Sequence, residues 1–370
     1  MEETVLKNGL VYTEDLRFVP LDVGISGGSI TALSEELSGE NVIDCSGCLV
    51  LPGLADIHLH GCAGCDVCDA GTASLDKIAA YEFSRGVTAF CPTTMTLPEE
   101  RLTDVLRSIS DYSPGSGRAE VLGINLEGPF ISAEKCGAQD SANILKPSAD
   151  KLREWQRAAG GLIRLVTVAP EAEGAAECIS ECSGEFRFSL GHTAANYAAA
   201  SAAFAAGADH VTHLFNAMPP FLHRETGVIG AAFDADCYVE LICDGIHVSP
   251  PMIRAAFRLF GDDRIVLISD SMEAAGMPDG EYELGGQRVI RQGSTARLAD
   301  GTIAGSVTDL YGCMLTAVKA GIPLESAVRA ATINPCRSVG ADGRFGSIAP
   351  GKAAHFLILD RDSLEIVRVL

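Results

Sequence analysis

The chain has 370 residues, of which 47% are hydrophobic and 21% charged, so a well-buried globular core is expected. Its 49 acidic residues outnumber the 28 basic ones, and the formal charge of −21 argues against nucleic acid and anionic membranes as partners. No apolar run approaches the ~18 residues that suggest a transmembrane helix.

The first fifty residues are rich in predicted strands. VLKNGLVYT, LDVGISGGSITALS and NVIDCSGCLVLPG are short apolar runs broken by Gly, Asn and Ser, a pattern typical of β structure. The opening MEETVLKNGL lacks the basic and apolar regions of a signal peptide, so the cytoplasm is the expected location.

From Leu54 onward, apolar strands alternate with Ala-rich helical segments such as TASLDKIAAYEFSRG, which indicates βα units around a parallel sheet. Eight strands are predicted, at residues 54–60, 87–94, 121–128, 163–170, 186–193, 210–216, 238–245 and 264–271. Eight repeats over roughly 290 residues favour a closed (β/α)8 TIM barrel, which typically takes about 250 residues, over a doubly wound open sheet.

The segments after the eighth strand complete the predicted α/β architecture. A Gly-rich, strand-like stretch at about 281–306 predicts a β excursion before the last two helical segments. The tail 346–370 returns to strands, and we expect it to pair with residues 1–53 in a small β-sandwich domain. The barrel domain, 54–345, would then be inserted between the two chain ends.

Polar side chains stand at the ends of five predicted strands, where TIM barrels place their active sites. They are His58, His60, Glu127, His192, His213 and Asp270. His58 and His60 point to the same face, because alternate residues of a strand do so. Singly, each has a structural alternative, such as a helix cap for Asp270 or a hydrogen-bonded core residue for His213.

Together, the six residues predict a catalytic metal site. Imidazole and carboxylate ligands with an open position suit Zn²⁺, or a similar divalent ion such as Fe²⁺, Mn²⁺ or Co²⁺. Such an ion lowers the pKa of a bound water and polarises a carbonyl group. The sequence therefore indicates metal-assisted hydrolysis.

Cysteines raise a competing metal hypothesis. Cys62, Cys65 and Cys68 have the C-x2-C-x2-C spacing of part of a ferredoxin run, but no fourth cysteine or Pro follows in register. The thirteen cysteines, in a chain without a signal peptide, are therefore expected to be mainly reduced core thiols. A redox-sensitive role for Cys62 is the lesser alternative.

The motifs LPGLADIHLHG, LEGPFIS, GHT, THLFNAMPP, DGIHV, ISDSMEAAGMPDGEYELGG and DGTIAGS occur in this order. With them, essentially the whole chain resembles the N-acetylglucosamine-6-phosphate deacetylases of the amidohydrolase superfamily. The resemblance implies hydrolysis of an acetamide to an amino sugar phosphate and acetate. It also implies that Glu127, His192 and His213 hold one ion, and that His58 and His60 hold a second bridged by Glu127; one or two ions remain open.

The resemblance further implies roles for individual residues. Asp270 matches the catalytic carboxylate, a general base and then acid, and His247 would stabilise charge on the carbonyl oxygen. Arg224 matches a phosphate-binding arginine that in some relatives reaches across a dimer interface, so a homodimer is expected. Further substrate contacts are implied for Ala138, Gln139, Asn216, Ala217, Asp244, His247, Ala304, Gly305 and Ser306.

Two positions depart from the family pattern, and two other functions remain open. Gln139 stands where relatives commonly carry His, which puts sugar selectivity in question, and Thr226 stands where they carry Pro. A different amidohydrolase reaction, on a cyclic amide or another N-acyl substrate, stays possible because fold does not fix function. It is disfavoured because relatives with such activities generally carry a carbamylatable lysine at strand three or four, whereas here Glu127 ends strand three and strand four, IRLVTVAP, has no lysine. A non-enzymatic barrel is disfavoured because no metal-binding residue is lost.

Overall fold

The computed structural model describes residues 4–370, which begin with seven short strands. The three apolar runs predicted as β structure overlap six of them, and the short β3 lies outside those runs. They are β1 (Thr4–Lys7), β2 (Leu10–Tyr12), β3 (Phe18–Pro20), β4 (Asp22–Ser26), β5 (Ser29–Ser34), β6 (Asn41–Asp44) and β7 (Cys48–Pro52).

Eleven further strands follow, and eight of them form the barrel. The eleven are β8 (Leu54–Leu59), β9 (Gly61–Cys62), β10 (Cys65–Asp66), β11 (Val87–Thr94), β12 (Glu120–Val121), β13 (Ile124–Glu127), β14 (Ile163–Val168), β15 (Arg187–Leu190), β16 (His210–Val211), β17 (Tyr238–Ile242) and β18 (Ile265–Ile268). The parallel barrel order is β8-β11-β13-β14-β15-β16-β17-β18. All eight predicted strands overlap these, and the open-sheet alternative is wrong.

Hydrogen bonds at the seam between β8 and β18 close the circle. The backbone N–H of Asp270 donates to the carbonyl of His58 at 2.9 Å, and that of His60 donates to the carbonyl of Ser271 at 2.8 Å. Below them, the buried carboxylate of Asp56 accepts the backbone N–H of Ser269. The first and last strands are thus held together at the level where the polar strand ends lie.

Within residues 4–370, ten α-helices surround the barrel and follow its strands. They are α1 (Thr72–Ser84), α2 (Glu99–Asp111), α3 (Ala149–Ala158), α4 (Ala175–Cys182), α5 (Tyr197–Ala206), α6 (Gly227–Ala235), α7 (Pro250–Phe260), α8 (Leu310–Lys319), α9 (Leu324–Ala331) and α10 (Ile333–Ser338). Local signals set several ends: the Ser148 side chain accepts the Lys151 N–H at the start of α3, and α7 begins with two prolines. None of the helices within residues 4–370 combines the length and apolar character needed to cross a membrane.

The predicted β excursion forms an antiparallel three-stranded sheet of β19 (Gly280–Leu284), β20 (Gln287–Gln292) and β21 (Thr295–Arg297). Its loops reach the carboxyl end of the barrel. The backbone N–H of Gly285 faces the Asp66 carboxylate, and the Gln287 side chain donates to the Ala138 carbonyl. This small sheet therefore covers part of the barrel mouth.

The tail supplies β22 (Phe356–Asp360) and β23 (Ile366–Val369), which join the N-terminal strands. One sheet has the order β5-β4-β1-β6, and the other has β23-β22-β7-β2-β3. Their facing side chains share one core, with Val23 from the first sheet against Val50 and Phe356 from the second. This confirms the α/β fold class with a β-sandwich built from both chain ends; the domain boundaries at 53/54 and 345/346 remain predictions.

Candidate metal centre and active site

Six buried side chains converge at the carboxyl end of the barrel strands, and we name them the ligand cluster. They are His58, His60, Glu127, His192, His213 and Asp270. Their potential ligand atoms form two groups, each within 4.8 Å: His58, His60 and Glu127, and then Glu127, His192 and His213. Glu127 belongs to both groups, and Asp270 Oδ1 lies 3.4 Å from His60 Nε2 and 3.6 Å from His58 Nε2.

Left-handed backbone turns aim three of these side chains into the mouth. The φ angles are +46° at His192, +29° at His213 and +48° at Asp270, a region that non-glycine residues rarely adopt. Such strain concentrates at functional sites, where surrounding structure holds it. It also explains why the fifth and sixth strands end at Leu190 and Val211, before the predicted ends, since a left-handed residue cannot continue a strand.

Hydrogen bonds on the far side of three rings orient their Nε2 atoms toward the cluster centre. His58 Nδ1 lies 2.9 Å from Glu240 Oε2, His60 Nδ1 lies 3.2 Å from the Thr93 carbonyl, and His192 Nδ1 lies 3.0 Å from the Lys135 carbonyl. Carboxylate and carbonyl oxygens only accept, so each Nδ1 carries the proton. In the neutral rings, each Nε2 therefore presents a lone pair.

The facing atoms fit a divalent ion. Oε1 of Glu127 lies 3.1 Å from His192 Nε2 and 3.0 Å from His213 Nε2, while Oε2 lies 3.1 Å from His60 Nε2. Ligands bound at 2.0–2.1 Å around a tetrahedral Zn²⁺ stand about 3.3 Å apart. His58 Nε2 is buried and has no hydrogen-bond partner within residues 4–370, as expected of an atom directed at an ion.

The charges in the cluster are strongly coupled. Burial raises the pKa of Glu127, but His58 and His192 outweigh it and hold that pKa well below its usual range. Burial lowers the pKa of His60, yet hydrogen bonds with Asp270 and Glu127 raise it to about 9. For Asp270, burial likewise opposes the effect of the histidines, and the net pKa lies below the usual value. Asp270 is thus an ionised carboxylate at neutral pH.

His247 is oriented by Asp244. His247 Nδ1 lies 2.7 Å from Asp244 Oδ2, and Asp244 Oδ1 accepts the backbone N–H of His247 at 2.8 Å. Burial lowers the pKa of His247, but the hydrogen bond to Asp244 raises it above the usual value overall. The raised pKa favours a protonated ring, and a protonated Nε2 suits stabilisation of a developing oxyanion.

A cavity of about 540 Å³ opens above the ligand cluster, a size suited to a small ligand. It brings together most of the residues predicted to bind substrate. Those that line it are Ala138, Gln139, Asn216, Ala217, His247 and Gly305. Asp270 and His60 form part of its floor, and Lys135 contributes a cation. The candidate active site is therefore one continuous pocket over the candidate metal centre.

Four predicted substrate residues lie outside the cavity lining. Asp244 contacts His247, as described above. Ala304 is fully buried, and the Ser306 hydroxyl donates to the Ser269 carbonyl at 2.6 Å, which braces the loop that carries Asp270. Arg224 is exposed, contacts His223, and borders a separate groove of about 650 Å³ on the outer surface.

Gln139 is engaged at both ends of its amide. Its Nε2 donates to Glu127 Oε2 at 2.7 Å, and its Oε1 accepts the backbone N–H of Thr96 at 2.6 Å. The side chain is buried, so these contacts orient the carboxylate shared by the two ligand groups. Sequence reasoning assigned Gln139 to the sugar and missed this contact with Glu127.

Two further residues at the site were missed from sequence. Glu240, in the middle of β17, is fully buried beneath His58. The sequence did offer a signal for it, because Glu240 is a charged residue inside the apolar run YVELI, where a barrel strand normally carries branched apolar side chains. Lys135 had no comparable signal, because a lysine in a loop is ordinary.

The cysteine hypothesis has no support in the geometry. Cys62, Cys65 and Cys68 are buried in the main hydrophobic core beside α1. Within residues 4–370, neither of the two potential ligand groups includes a cysteine. All thirteen cysteines are free thiols, which matches the expectation of reduced thiols.

Three comparisons place this geometry among known proteins. The sequence pattern of the amidohydrolase family matches residues 49–370. The N-acetylglucosamine-6-phosphate deacetylase of Bacillus subtilis (strain 168) is 37% identical over 388 residues, which cover 100% of this chain and 96% of the relative. The N-acetylgalactosamine-6-phosphate deacetylase of Escherichia coli O157:H7 is 37% identical over 316 residues, or 84% of each chain.

A solved structure is similar over its full length. It is a mutant N-acetyl-D-glucosamine-6-phosphate deacetylase from Mycobacterium smegmatis in complex with N-acetyl-D-glucosamine-6-phosphate. Its TM-score to this chain is 0.92 at 31% identity, and the alignment covers 100% of this chain and 98% of that one.

Proposed function

The chain belongs to the amidohydrolase family, and we propose that it hydrolyses the acetamide of N-acetylglucosamine 6-phosphate to glucosamine 6-phosphate and acetate. The observation that carries this proposal is the convergence of the ligand cluster on the floor of one cavity at the barrel mouth. The relatives that are named N-acetylglucosamine-6-phosphate deacetylase match nearly the whole chain, and they support the choice of substrate.

We infer that the ligand cluster holds one or two divalent ions. Glu127, His192 and His213 would hold one, and His58 and His60 would hold a second that Glu127 shares. Zn²⁺ fits this mixed imidazole and carboxylate set best, and Fe²⁺, Mn²⁺ and Co²⁺ accept the same ligands. When bound, such an ion lowers the pKa of a coordinated water and polarises the carbonyl of the amide.

Asp270 moves the proton in the proposed reaction. Its ionised carboxylate accepts a proton from the attacking water as the C–O bond to the acetyl carbon forms. The same carboxyl group then gives that proton to the sugar nitrogen as the C–N bond breaks, so that the neutral amine and acetic acid form. The acid then ionises to acetate, and its proton passes to the amine or to solvent. Its position beside the Nε2 atoms of His58 and His60 keeps it ionised before the first transfer.

His247 and the residues of the cavity walls would stabilise the developing charge and hold the substrate. The His247 ring, held by Asp244, would donate a hydrogen bond from a protonated Nε2 to the carbonyl oxygen as negative charge develops there. Asn216 and Ala217, in the loop that follows β16, would contact the sugar. The β19–β21 sheet contributes Leu284 near its first turn, and that side chain helps to exclude water from the amide.

The phosphate is proposed to bind Arg224 of a second copy of the chain. Within one chain Arg224 lies outside the cavity, in an exposed loop that also presents Phe221 and Leu222. Exposed apolar side chains around a groove are typical of an association surface. A homodimer built on this surface would bring the guanidinium to the neighbouring site, where its planar donors suit phosphate.

A second candidate substrate is N-acetylgalactosamine 6-phosphate. The relative that acts on it is as similar in sequence as the N-acetylglucosamine-6-phosphate deacetylase of Bacillus subtilis, although it covers less of the chain. The two sugars differ in one hydroxyl configuration, and a site discriminates strongly only where it hydrogen-bonds that hydroxyl. With Gln139 engaged by Glu127 and Thr96, its amide is a poor candidate for that contact.

One assay tests these proposals. Acetate release is measured from both 6-phosphosugars and from unphosphorylated N-acetylglucosamine, and ring opening is measured for a cyclic amide, in each case before and after removal of metal. We expect the largest kcat/KM on N-acetylglucosamine 6-phosphate, dependent on metal, with elemental analysis identifying the ion. Turnover of the cyclic amide alone, or activity unchanged in fully metal-free protein, would overturn the proposal.

A further inference from the structure

We propose that Glu240 is a positioning residue for the metal centre: it holds His58 in the orientation and tautomer that present Nε2 to an ion, and thereby sets the affinity of the His58 and His60 site. The inference deepens the proposed function and rests on it for the presence of a metal. Glu240 does not line the substrate cavity and acts only through its contacts with histidines.

The first argument is geometric. Glu240 Oε2 lies 2.9 Å from His58 Nδ1 and accepts the backbone N–H of His213 at 3.0 Å, while Oε1 lies 3.4 Å from His210 Nε2. One carboxylate thus touches a side chain from the first barrel strand and the backbone that turns His213 into the site. Both contacts are to members of the ligand cluster.

The second argument concerns the proton on the His58 ring. An ionised carboxylate accepts only, so Nδ1 carries the hydrogen and Nε2 keeps its lone pair in the neutral ring. That Nε2 is buried between Glu127 Oε1, at 3.4 Å, and Asp270 Oδ1, at 3.6 Å. A lone pair directed between two carboxylates is repelled unless a proton or a metal ion lies among them, and an ion that binds there takes the place of the proton.

The third argument compares the histidines of the cluster. His60 and His192 are anchored by neutral backbone carbonyls, of Thr93 and Lys135, whereas His58 is anchored by a charged group. A carboxylate on the far side of an imidazole makes the ring a stronger metal ligand and locks its orientation. We therefore expect the metal-binding strength of His58 to depend on its hydrogen bond with Glu240.

The fourth argument is the free-energy cost of burying the Glu240 carboxylate. Glu240 has no solvent exposure and sits where the interior of a barrel strand normally carries an apolar side chain. A buried carboxylate is strongly unfavourable unless it is paired and hydrogen-bonded. Besides His210, its carboxylate contacts the His58 ring and the His213 backbone, both of the ligand cluster, so the metal centre accounts for most of its pairing.

The test removes the negative charge of the Glu240 side chain and keeps its size and shape. In Glu240→Gln, the amide oxygen can still accept from His213 and His58, so the fold should persist, as circular dichroism can verify. Metal-free protein is titrated with Zn²⁺ against a chromophoric chelator, and the Co²⁺-loaded protein is examined by visible absorption. We expect the metal affinity of the His58 and His60 site to fall by about 10- to 100-fold and the Co²⁺ spectrum to change.

Two controls make the result specific. Glu82→Gln alters an equally buried glutamate on α1, outside the ligand cluster, and should leave both metal affinities unchanged. His58→Ala should weaken metal binding itself, and adding Glu240→Gln to it should have no further effect, because Glu240 acts through His58. Additive losses would show a general structural role and overturn the proposal.

The outcome is separable from that of the proposed function, because the readout is metal binding and not turnover. Glu240→Gln protein with every wild-type metal affinity intact would refute the role of Glu240, whether the wild type holds one ion or two. Wild-type protein that binds metal but releases no acetate from either phosphosugar would refute only the substrate assignment.

Discussion

Nε2 of His192 lies 3.0 Å from Nε2 of His213, and both atoms contact Oε1 of Glu127. Since His192 already donates its Nδ1 hydrogen to the Lys135 carbonyl, its Nε2 faces the second ring as an acceptor. Such convergent ligand atoms suit a shared cation.

Removing metal should lower the thermal unfolding midpoint, and restoring Zn²⁺ should recover it. An ion that binds only the folded state adds about 4 kcal/mol of stability at a concentration of about 1,000 times its Kd. Differential scanning calorimetry with and without chelator measures the change. His192→Ala should abolish most of this response, whereas His355→Ala, in the tail, should keep it; equal responses in both would contradict the assignment.

Metal affinity should weaken as the pH falls below about 9. Neighbouring carboxylates raise the pKa of His60 to about 9 in the protein without metal, so a proton occupies the ring below that pH. The ion must displace this proton, because only the neutral imidazole is a ligand. Zn²⁺ titrations between pH 6 and pH 9 would test whether the affinity falls with pH, and an affinity that rises on acidification would contradict the prediction.

Asp270→Asn should fold and retain metal but lose about 10²- to 10⁴-fold in kcat, the usual contribution of a general acid–base. The amide cannot accept the proton of the attacking water. Steady-state acetate release together with metal content measures both properties. Asp309→Asn, a buried carboxylate at the start of α8 outside the cavity, is the matched control and should keep its kcat. Wild-type turnover in Asp270→Asn would remove that residue from the mechanism.

Gln139→Leu should weaken metal binding as well as activity. The substitution leaves Glu127 without its amide donor and the Thr96 N–H without its acceptor, and each lost buried hydrogen bond costs about 1–3 kcal/mol. Metal titration and the KM for the phosphosugar are measured side by side. A rise in KM with unchanged metal affinity would restore the interpretation of Gln139 as a sugar ligand alone.

Arg224→Ala should raise KM for the 6-phosphosugar by about 10- to 100-fold, because hydrogen bonds to a charged group contribute about 1.5–3 kcal/mol each. KM for unphosphorylated N-acetylglucosamine should change little. Arg107→Ala, an exposed arginine on α2, is the matched control and should alter neither. An equal rise in KM for both sugars in Arg224→Ala would contradict the assignment of Arg224 to the phosphate.

A mixing experiment tests whether Arg224 acts across a dimer. Arg224→Ala and Asp270→Asn chains are unfolded together and refolded, so that mixed dimers form. In those dimers one site combines an intact Asp270 with Arg224 of the partner, and low-KM activity should return. Absence of recovery, in a preparation that is dimeric by light scattering, would place Arg224 in its own chain's site.

Much of the fold and of the ligand cluster was predictable because the underlying signals are local. The alternation of apolar strands with helices predicted eight βα units, and all eight predicted strands overlap observed ones. His58 and His60 share a face through the two-residue period of a strand. Glu127, His192, His213 and Asp270 could be grouped because parallel strands all end at the same edge.

Other features depended on distances between segments remote in the chain. Glu240 went unrecognised because its role requires knowing that β17 places it beneath His58, 182 positions away. Gln139 was assigned to the sugar because its contact with Glu127 arises from a loop folding back over β13. Ser306 proved to brace the Asp270 loop from outside the cavity lining.

By itself, then, the sequence determined the period, order and polarity of the elements, since these follow from propensity and hydrophobic patterning along neighbouring residues. Only the tertiary structure decided which side chains meet. Closure of the barrel through the bonds of His58 and His60 with Asp270 and Ser271 sets the strand registers around the site. Those registers, together with left-handed turns at three strand ends, bring distant donors within about 3 Å, the separation that metal ligands require.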